Sequence, residues 1–352
     1  MDAMTRAAPL AGISVVDFSE LLPGPFLTQN LLELGATVVK VERPPHGDNA
    51  RRLYPGVYAS VNRGKRGEML DLKQAEGRAR ARELVAGADV LVEGFRPGVM
   101  ARLGLDYEQA RALNERLVYV SLSGYGQDGP QARQPGHDIN YLAAAGALAL
   151  AGSDPAEPAP GAGLPVADLC GAMYALSSTL AALLQRQHTG RGQWLDVALA
   201  DCVMHWMNPR LGQFASAGLA TLAQQRHDVL CKPAYGVFRT ADDAHVAIAA
   251  LEDHFWQALR GALPLAGLAG PLATYREREA QAGPINDALA RAVRGRTCQA
   301  LMEVLTAADV PVSRVELPGE LGQSALARQR GLFDAGDGYA RYPVRLDHMG
   351  AA

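Results

Sequence analysis

Residues Ile13 to Val41 constrain the architecture more tightly than any other stretch of this chain. I-S-V-V-D-F (Ile13 to Phe18) is a short run rich in β-branched residues, the composition of a strand buried on both faces. Pro23-Gly24-Pro25 breaks that run and opens a helix from Phe26 to Leu34, which Gly35 ends. A-T-V-V-K-V (Ala36 to Val41) is the next strand. Strand, helix and strand in that order form a βαβ unit, and a parallel sheet follows from it.

The alternation continues with a charged helix at Ala75 to Ala86 and strands at Asp89 to Glu93 and Leu117 to Leu122. The expected fold class is therefore α/β, with a Rossmann-like parallel sheet. No GxGxxG follows the first strand, so a nicotinamide or flavin site is not expected. Beyond Asp168, the positions Leu169, Met173, Leu176, Leu180 and Leu183 recur at helical spacing and predict a core helix through about Gln187. Thr189 to Gln193 reads as a turn, Trp194 to Ala198 as a strand, and a helix starts near Asp201. The polar segment Ala223 to His227 reads as a linker. Two short strands within Gly236 to Ala250, a helix from Asp253 to Leu263 and helical patterns to Ala308 describe a smaller α+β domain. The expected division is 1–222 for a large domain and 223–310 for a small one. The last segment, 311–352, is punctuated by Gly and Pro and lacks a core of its own.

At 352 residues, 48% apolar and 20% charged, the composition is that of a soluble two-domain protein. A net charge of -3 gives no basic excess for nucleic acid. The four cysteines (Cys170, Cys202, Cys231, Cys298) form no CxxC pair and have no His at metal-ligand spacing, so reduced thiols and no metal are expected. The N-terminus carries Asp2 and no apolar signal region, and no apolar run reaches the roughly 18 residues of a membrane span, so a cytoplasmic location is expected.

Four features carry possible chemistry. Between Lys40 and Arg66 there are seven basic residues (Lys40, Arg43, Arg51, Arg52, Arg63, Lys65, Arg66) against two acids. This is either a solvated surface or a site for a polyphosphorylated ligand. Arg43 follows a strand at its carboxyl end, where α/β sheets bind ligands, and Arg96 follows another strand at the same edge. G-H-D-I-N-Y (Gly136 to Tyr141) places His137 beside Asp138 ahead of a helix. P-V-A-D (Pro165 to Asp168) places an acid at the start of the long apolar helix. Two titratable groups that begin two helices can face each other across a cleft, which suits acid/base or nucleophilic work. The alternative readings are a hydrogen-bonding His and an N-cap at Asp168. Glu252 sits at a strand-to-helix junction, where capping again competes with chemistry.

These motifs, taken in order, resemble the CaiB/BaiF family of class III CoA-transferases and α-methylacyl-CoA racemases. The resemblance rests on P-L-A-G-I-S-V-V-D-F (Pro9 to Phe18), L-G-A-T-V-V-K-V-E-R-P (Leu34 to Pro44), N-R-G-K-R (Asn62 to Arg66) and A-D-V-L-V-E-G-F-R-P-G (Ala88 to Gly98). S-G-Y-G-Q-D-G-P (Ser123 to Pro130), G-H-D-I-N-Y and T-G-R-G-Q (Thr189 to Gln193) continue it. It implies an interlocked homodimer, with the 311–352 segment returning to the large domain. It also implies a coenzyme A moiety carried by the substrate, with no permanently bound cofactor, and contacts to it from Arg43, Arg63 and Arg96. The racemase pattern matches His137 and Asp168 as the two acid/base residues and Glu252 as the partner of the His, with Asp138 and Tyr141 in support. The expected function is racemisation of 2-methylacyl-CoA thioesters. The alternative is CoA transfer between carboxylic acids through an aspartyl-CoA thioester on Asp168, and Asp168-Leu169-Cys170-Gly171-Ala172 resembles the transferase wording. A silent CoA-binding paralogue is a third reading.

Overall fold

The computed structural model describes residues 8–152, 157–159, 161, 163–333 and 336–345. The chain divides into two compact units. The first holds the described residues up to Ala151, those from Pro158 to Gln213, and those from Leu332 onward. The second runs from Phe214 to Gly331 and takes in Gly152 and Glu157.

The first unit opens with β1 (Ser14–Asp17), α1 (Pro23–Glu33) and β2 (Thr37–Glu42), the expected βαβ unit with boundaries shifted by one to three residues. Pro23 and Pro25 lie in the first turn of α1, where a missing N–H costs nothing. The chain continues through α2 (Ala50–Leu53), α3 (Pro55–Asn62), β3 (Arg66–Met69), α4 (Ala75–Ala86), β4 (Val90–Glu93), α5 (Val99–Leu103), α6 (Tyr107–Leu113) and β5 (Val118–Ser123). It then makes α7 (Asp138–Ala144), α8 (Val166–Thr189), β6 (Trp194–Ala198), α9 (Leu199–Trp206) and α10 (Asn208–Ala217). Six parallel strands lie in the order β3-β2-β1-β4-β5-β6.

Both faces of this sheet are covered, which is why its central strands read as unbroken apolar runs. Val90 and Val92 face a core with Leu27 and Leu31 of α1 and Leu176 of α8, while Leu91 faces the other side with Ala81, Val85 and Ala110. Strand β3 was not expected. Its sequence R-G-E-M shows no apolar alternation because it is the edge strand, mostly exposed, and its pairing comes from the backbone of β2.

Helix α8 also departs from expectation. At 24 residues it is long and apolar enough to cross a membrane by length and composition, contrary to the reading that no segment is. Half of its most apolar window is buried inside the protein, and Ala175, Leu176, Ala182 and Leu183 pack into the sheet core. Arg186, buried near its end, pairs with Asp89 at 2.9 Å.

In the second unit, α11 (Leu222–Leu230) precedes β7 (Tyr235–Arg239), β8 (His245–Ala249), α12 (Asp253–Ala262), α13 (Tyr275–Glu279), α14 (Ala282–Arg294), α15 (Cys298–Ala307), β9 (Val312–Arg314) and α16 (Ala325–Arg330). Two expectations are corrected here. Ala223 to His227 is no linker but part of α11. Thr221 accepts the Gln224 N–H and Gln224 reaches back to the Thr221 N–H, a capping box that holds a helix with little apolar content. The start of the 311–352 segment does not return to the large domain. Val312–Arg314 pairs antiparallel with β8 as the third strand of a small sheet, β7-β8-β9. The unit boundaries therefore fall at Gln213/Phe214, inside α10, and at Gly331/Leu332 rather than at 222/223 and 310/311. From Leu332 the chain does rejoin the first unit, where the Tyr342 N–H donates to Glu33 at 2.5 Å and Arg63 donates to the Ala340 carbonyl at 3.1 Å.

Candidate functional site

The two helix starts singled out in the sequence meet in the first unit. The Asp138 carboxylate, in the first turn of α7, accepts the backbone N–H of Ala167 at 2.7 Å and of Asp168 at 3.2 Å. Asp138 therefore caps α8 from another helix, and the capping role considered for Asp168 is taken. The Asp168 carboxylate, half-buried, accepts no hydrogen bond from the described residues. Burial, and secondly the charge of Asp138, push its pKa up to about 7. A carboxyl so poised exchanges protons readily at neutral pH.

His137 is the residue before α7, with its side chain exposed. Its backbone is fixed on both sides, since its N–H donates to Asn140 Oδ1 at 3.0 Å and its carbonyl accepts the Asn140 N–H at 2.8 Å. One turn on, Tyr141 is buried, donates its hydroxyl to the Gly136 carbonyl at 2.7 Å and stands edge-on to Tyr125, 5.3 Å between ring centres. The ring lies so close to the backbone that a Cβ at Gly124 or Gly136 would meet it at 2.3 or 2.6 Å. Those two glycines of S-G-Y-G and G-H-D-I-N-Y are thus required by one tyrosine. Burial raises the Tyr141 phenol to about 12, with Asp168 adding to the rise and Arg96 opposing it. Tyr141 is therefore within electrostatic reach of both Asp168 and Arg96.

Most of the basic cluster proves to be paired with acids, and its two lysines are buried. Lys40 and Lys65 are buried against Asp17, Lys40 lies 3.0 Å from Asp48, and Lys65 also bonds Thr28 at 2.7 Å and Asn62 at 3.0 Å. Burial would raise the Asp17 carboxyl, yet the two ammonium groups and two hydroxyl donors hold it at about 2. Burial lowers Lys65 to about 8 in spite of Asp17. Arg51 forks onto Glu42 at 2.7 and 2.8 Å. Arg63 pairs with Glu33 and, at 3.4 Å, with Asp337, so it is occupied in anchoring the returning segment. Arg43 and Arg96 are exposed at the carboxyl edge of the sheet with no ion pair among the described residues.

Glu93, the last residue of β4, drew no attention in the sequence. It is buried at 3% exposure, accepts the Phe95 N–H at 2.8 Å and is bonded by Ser121, and burial lifts its carboxyl to about 7. It lines a cavity of about 220 Å³ with Arg96, Tyr107, Ser121 and Trp194. The available signal was an acid closing an otherwise apolar strand, V-L-V-E, directly ahead of the Phe95-Arg96 turn.

Glu252 belongs to the second unit. It occupies the N-cap of α12, yet its side chain makes no bond to the helix start and is exposed. The capping reading does not account for it.

The sequence pattern of CoA-transferase family III matches residues 10–347. The acetyl-CoA:oxalate CoA-transferase of Acetobacter aceti is 33% identical over 354 residues, covering 96% of this chain and 89% of that protein. The human alpha-methylacyl-CoA racemase is 39% identical over 257 residues, covering 71% of this chain and 63% of that protein. Among solved structures, a CAIB/BAIF family protein from Brucella suis superposes with a TM-score of 0.85 at 28% identity, over 97% of this chain and 93% of that one. With the family pattern running through nearly all of its sequence, and a relative one-third identical along almost its whole length, this chain belongs to CoA-transferase family III.

Proposed function

We propose that the protein racemises 2-methylacyl-CoA thioesters by 1,1-proton transfer at the α-carbon. The observation that carries this reading is the Asp168 carboxyl, relieved of capping by Asp138, unbonded, and held near a pKa of 7. That is the value expected of a group that must both take and give a proton at neutral pH. Asp168 removes the α-proton from one face, the C–H electron pair passes into the thioester enolate, and His137 returns a proton to the opposite face. The other enantiomer uses the same two residues in exchanged roles. Glu252 enters as the partner of the His on the resemblance alone. The substrate brings its own coenzyme A, and Arg43 and Arg96 are assigned to its phosphates because their guanidinium groups are unpaired at the sheet edge. Arg63 would have to leave Glu33 and Asp337 to join them.

A second reading is favoured by the similarity to acetyl-CoA:oxalate CoA-transferase over nearly the full chain. In it the Asp168 carboxylate attacks the thioester carbonyl and CoA thiolate leaves, giving a mixed anhydride; the thiolate then attacks the aspartyl carbonyl, expels the donor acid as its carboxylate and leaves an aspartyl-CoA thioester. Incubation of each enantiomer of a 2-methylacyl-CoA in D2O separates the two. Racemisation incorporates deuterium at the α-carbon, and His137→Ala slows it by about 10² to 10⁴. A hydroxylamine-trapped acyl adduct on Asp168, with His137→Ala still active in CoA transfer, would assign the transferase reaction instead.

A further inference from the structure

Helix α12 begins in an unusual way. The N-cap position favours Ser, Thr, Asp or Asn, whose short side chains reach the orphan N–H groups of the first turn. Here it holds Glu252, whose carbonyl accepts the Trp256 N–H at 3.0 Å but whose carboxylate makes no cap. Something else must hold the helix start. That role falls to Arg278, from the last turn of α13.

Arg278 is fully buried, and its guanidinium takes hold of the residues on both sides of Glu252. Nη2 donates to the Leu251 carbonyl at 2.5 Å, and Nη1 lies 2.8 Å from Asp253 Oδ1. Nη1 also donates to the Ala273 carbonyl at 3.0 Å, and the guanidinium carbon stands 5.7 Å from the centre of the buried Trp256 ring. The Leu251 carbonyl and the Asp253 carboxylate are thereby held by one rigid planar group, with Glu252 between them. Its carboxylate takes no part in the clamp and is exposed.

Stability alone gives a poor account of this arrangement. A fully buried guanidinium carries a desolvation penalty of several kcal/mol, and an apolar side chain of similar volume is often as stable or more so. Among the described residues the Arg278 Nε finds no partner, and neither does the indole N–H of Trp256. The fork geometry, by contrast, is what defines the direction of the chain at 251–253, and a compact ammonium could not reproduce it.

We propose that Arg278 is a positioning residue that aims the Glu252 carboxylate, acting on the reaction only through Glu252. This rests on the reading of Glu252 as part of the chemistry. It predicts a specific pattern of energetic coupling. Misplacing a reacting group by about 1 Å costs about 10²-fold in rate. Arg278→Met, which keeps the volume and removes the fork, should lower kcat about 10- to 100-fold at nearly unchanged KM. Arg278→Lys should recover little of that loss, because charge without the planar fork does not restore the clamp.

The test is a double-mutant cycle in the full-length protein with α-deuterium exchange as the readout and thermal melting as the check on folding. Glu252→Gln, Arg278→Met and the double variant are compared. The expected result is that the double variant is no slower than Glu252→Gln, because Arg278 has nothing left to aim. Independent losses that multiply in the double variant would show a general structural role and overturn the proposal. So would an Arg278→Met protein with normal kcat while Glu252→Gln is slow, and that outcome leaves the reading of Glu252 intact. A fully active Glu252→Gln would remove Glu252 from the chemistry and the clamp's purpose with it. If Arg278→Met does not fold, Asp253→Asn, which weakens one arm of the clamp at an exposed carboxylate, takes its place in the same cycle.

Discussion

Replacing Asp138 by Asn separates two things that residue does for Asp168. The amide keeps an oxygen able to accept the Ala167 and Asp168 N–H groups, so the cap at α8 survives, while the negative charge is lost. Asp168 stands about three units above its ordinary value of 3.8, with burial the larger cause and Asp138 the smaller. The charge therefore accounts for the smaller part of the rise, and Asp168 should fall below about 7 in Asp138→Asn. A neighbouring like charge shifts a carboxyl by about 1 unit or more, which sets the scale of the change. At pH 5, well below both values, the ionised fraction of Asp168 rises about tenfold. A weaker base transfers protons more slowly, which offsets part of that gain and leaves a net increase of about threefold. Near pH 8 the fraction is already close to complete in both proteins, and the variant should be slower by about threefold. The rising limb of the pH profile thus moves to lower pH, read as exchange of the α-proton from the enantiomer that Asp168 serves. An unshifted limb, or an equal loss of rate at pH 5 and pH 8, would refute the electrostatic argument. Asp138→Ala, which removes the cap as well, should lose about 1 kcal/mol of stability in addition.

Glu93→Gln should stabilise the protein at pH 8 and not at pH 4. A carboxyl raised to about 7 by burial binds its proton more tightly in the folded state, so its stabilising effect is complete below about pH 4.5 and is lost as pH rises to 7. Removing it relieves up to about 3 kcal/mol above that window, and melting curves that shift equally at both pH values would contradict this. Arg43→Ala should raise KM for an acyl-CoA about tenfold or more with kcat nearly unchanged, the pattern of lost uniform binding. Arg63→Ala should instead expose the 332–345 segment to proteases, because its partners are Glu33, Asp337 and the Ala340 carbonyl. If the chain forms the interlocked homodimer that the family resemblance implies, it should sediment as a dimer at all dilutions short of unfolding, and a concentration-dependent monomer would refute that.

The central sheet was legible because β1, β2, β4 and β5 are buried on both faces and carry β-branched apolar runs. The edge strand β3 was not, since R-G-E-M draws its place from the backbone of its neighbour. Thr221 and Gln224 did carry a capping signal for α11, masked by polarity. The charges misled most. Lys40 and Lys65 read as surface residues because their partner Asp17 is distant in sequence, and no local pattern announces a buried pair. For the same reason, nothing near Asp168 revealed that Asp138, 30 residues earlier, would take over its cap. The placement of His137, Asp138 and Asp168 at two helix starts was legible because such starts are among the few places where a short motif fixes side-chain position. Glu93 escaped because a single acid at a strand end is common.

The bond from the Tyr342 N–H to Glu33 joins positions 309 residues apart and bears on synthesis. A ribosome adding about 5 to 20 residues per second needs roughly 15 to 60 s to pass from one to the other. For most of that interval Glu33 and Arg63 have been made while their tail partners do not yet exist. The second unit, whose residues 214–331 are contiguous, is complete in sequence before the first. The leading unit thus begins first but is not complete in sequence first. The sheet of the first unit waits with one anchoring site open until residues 340–342, made after the second unit, reach Glu33 and Arg63.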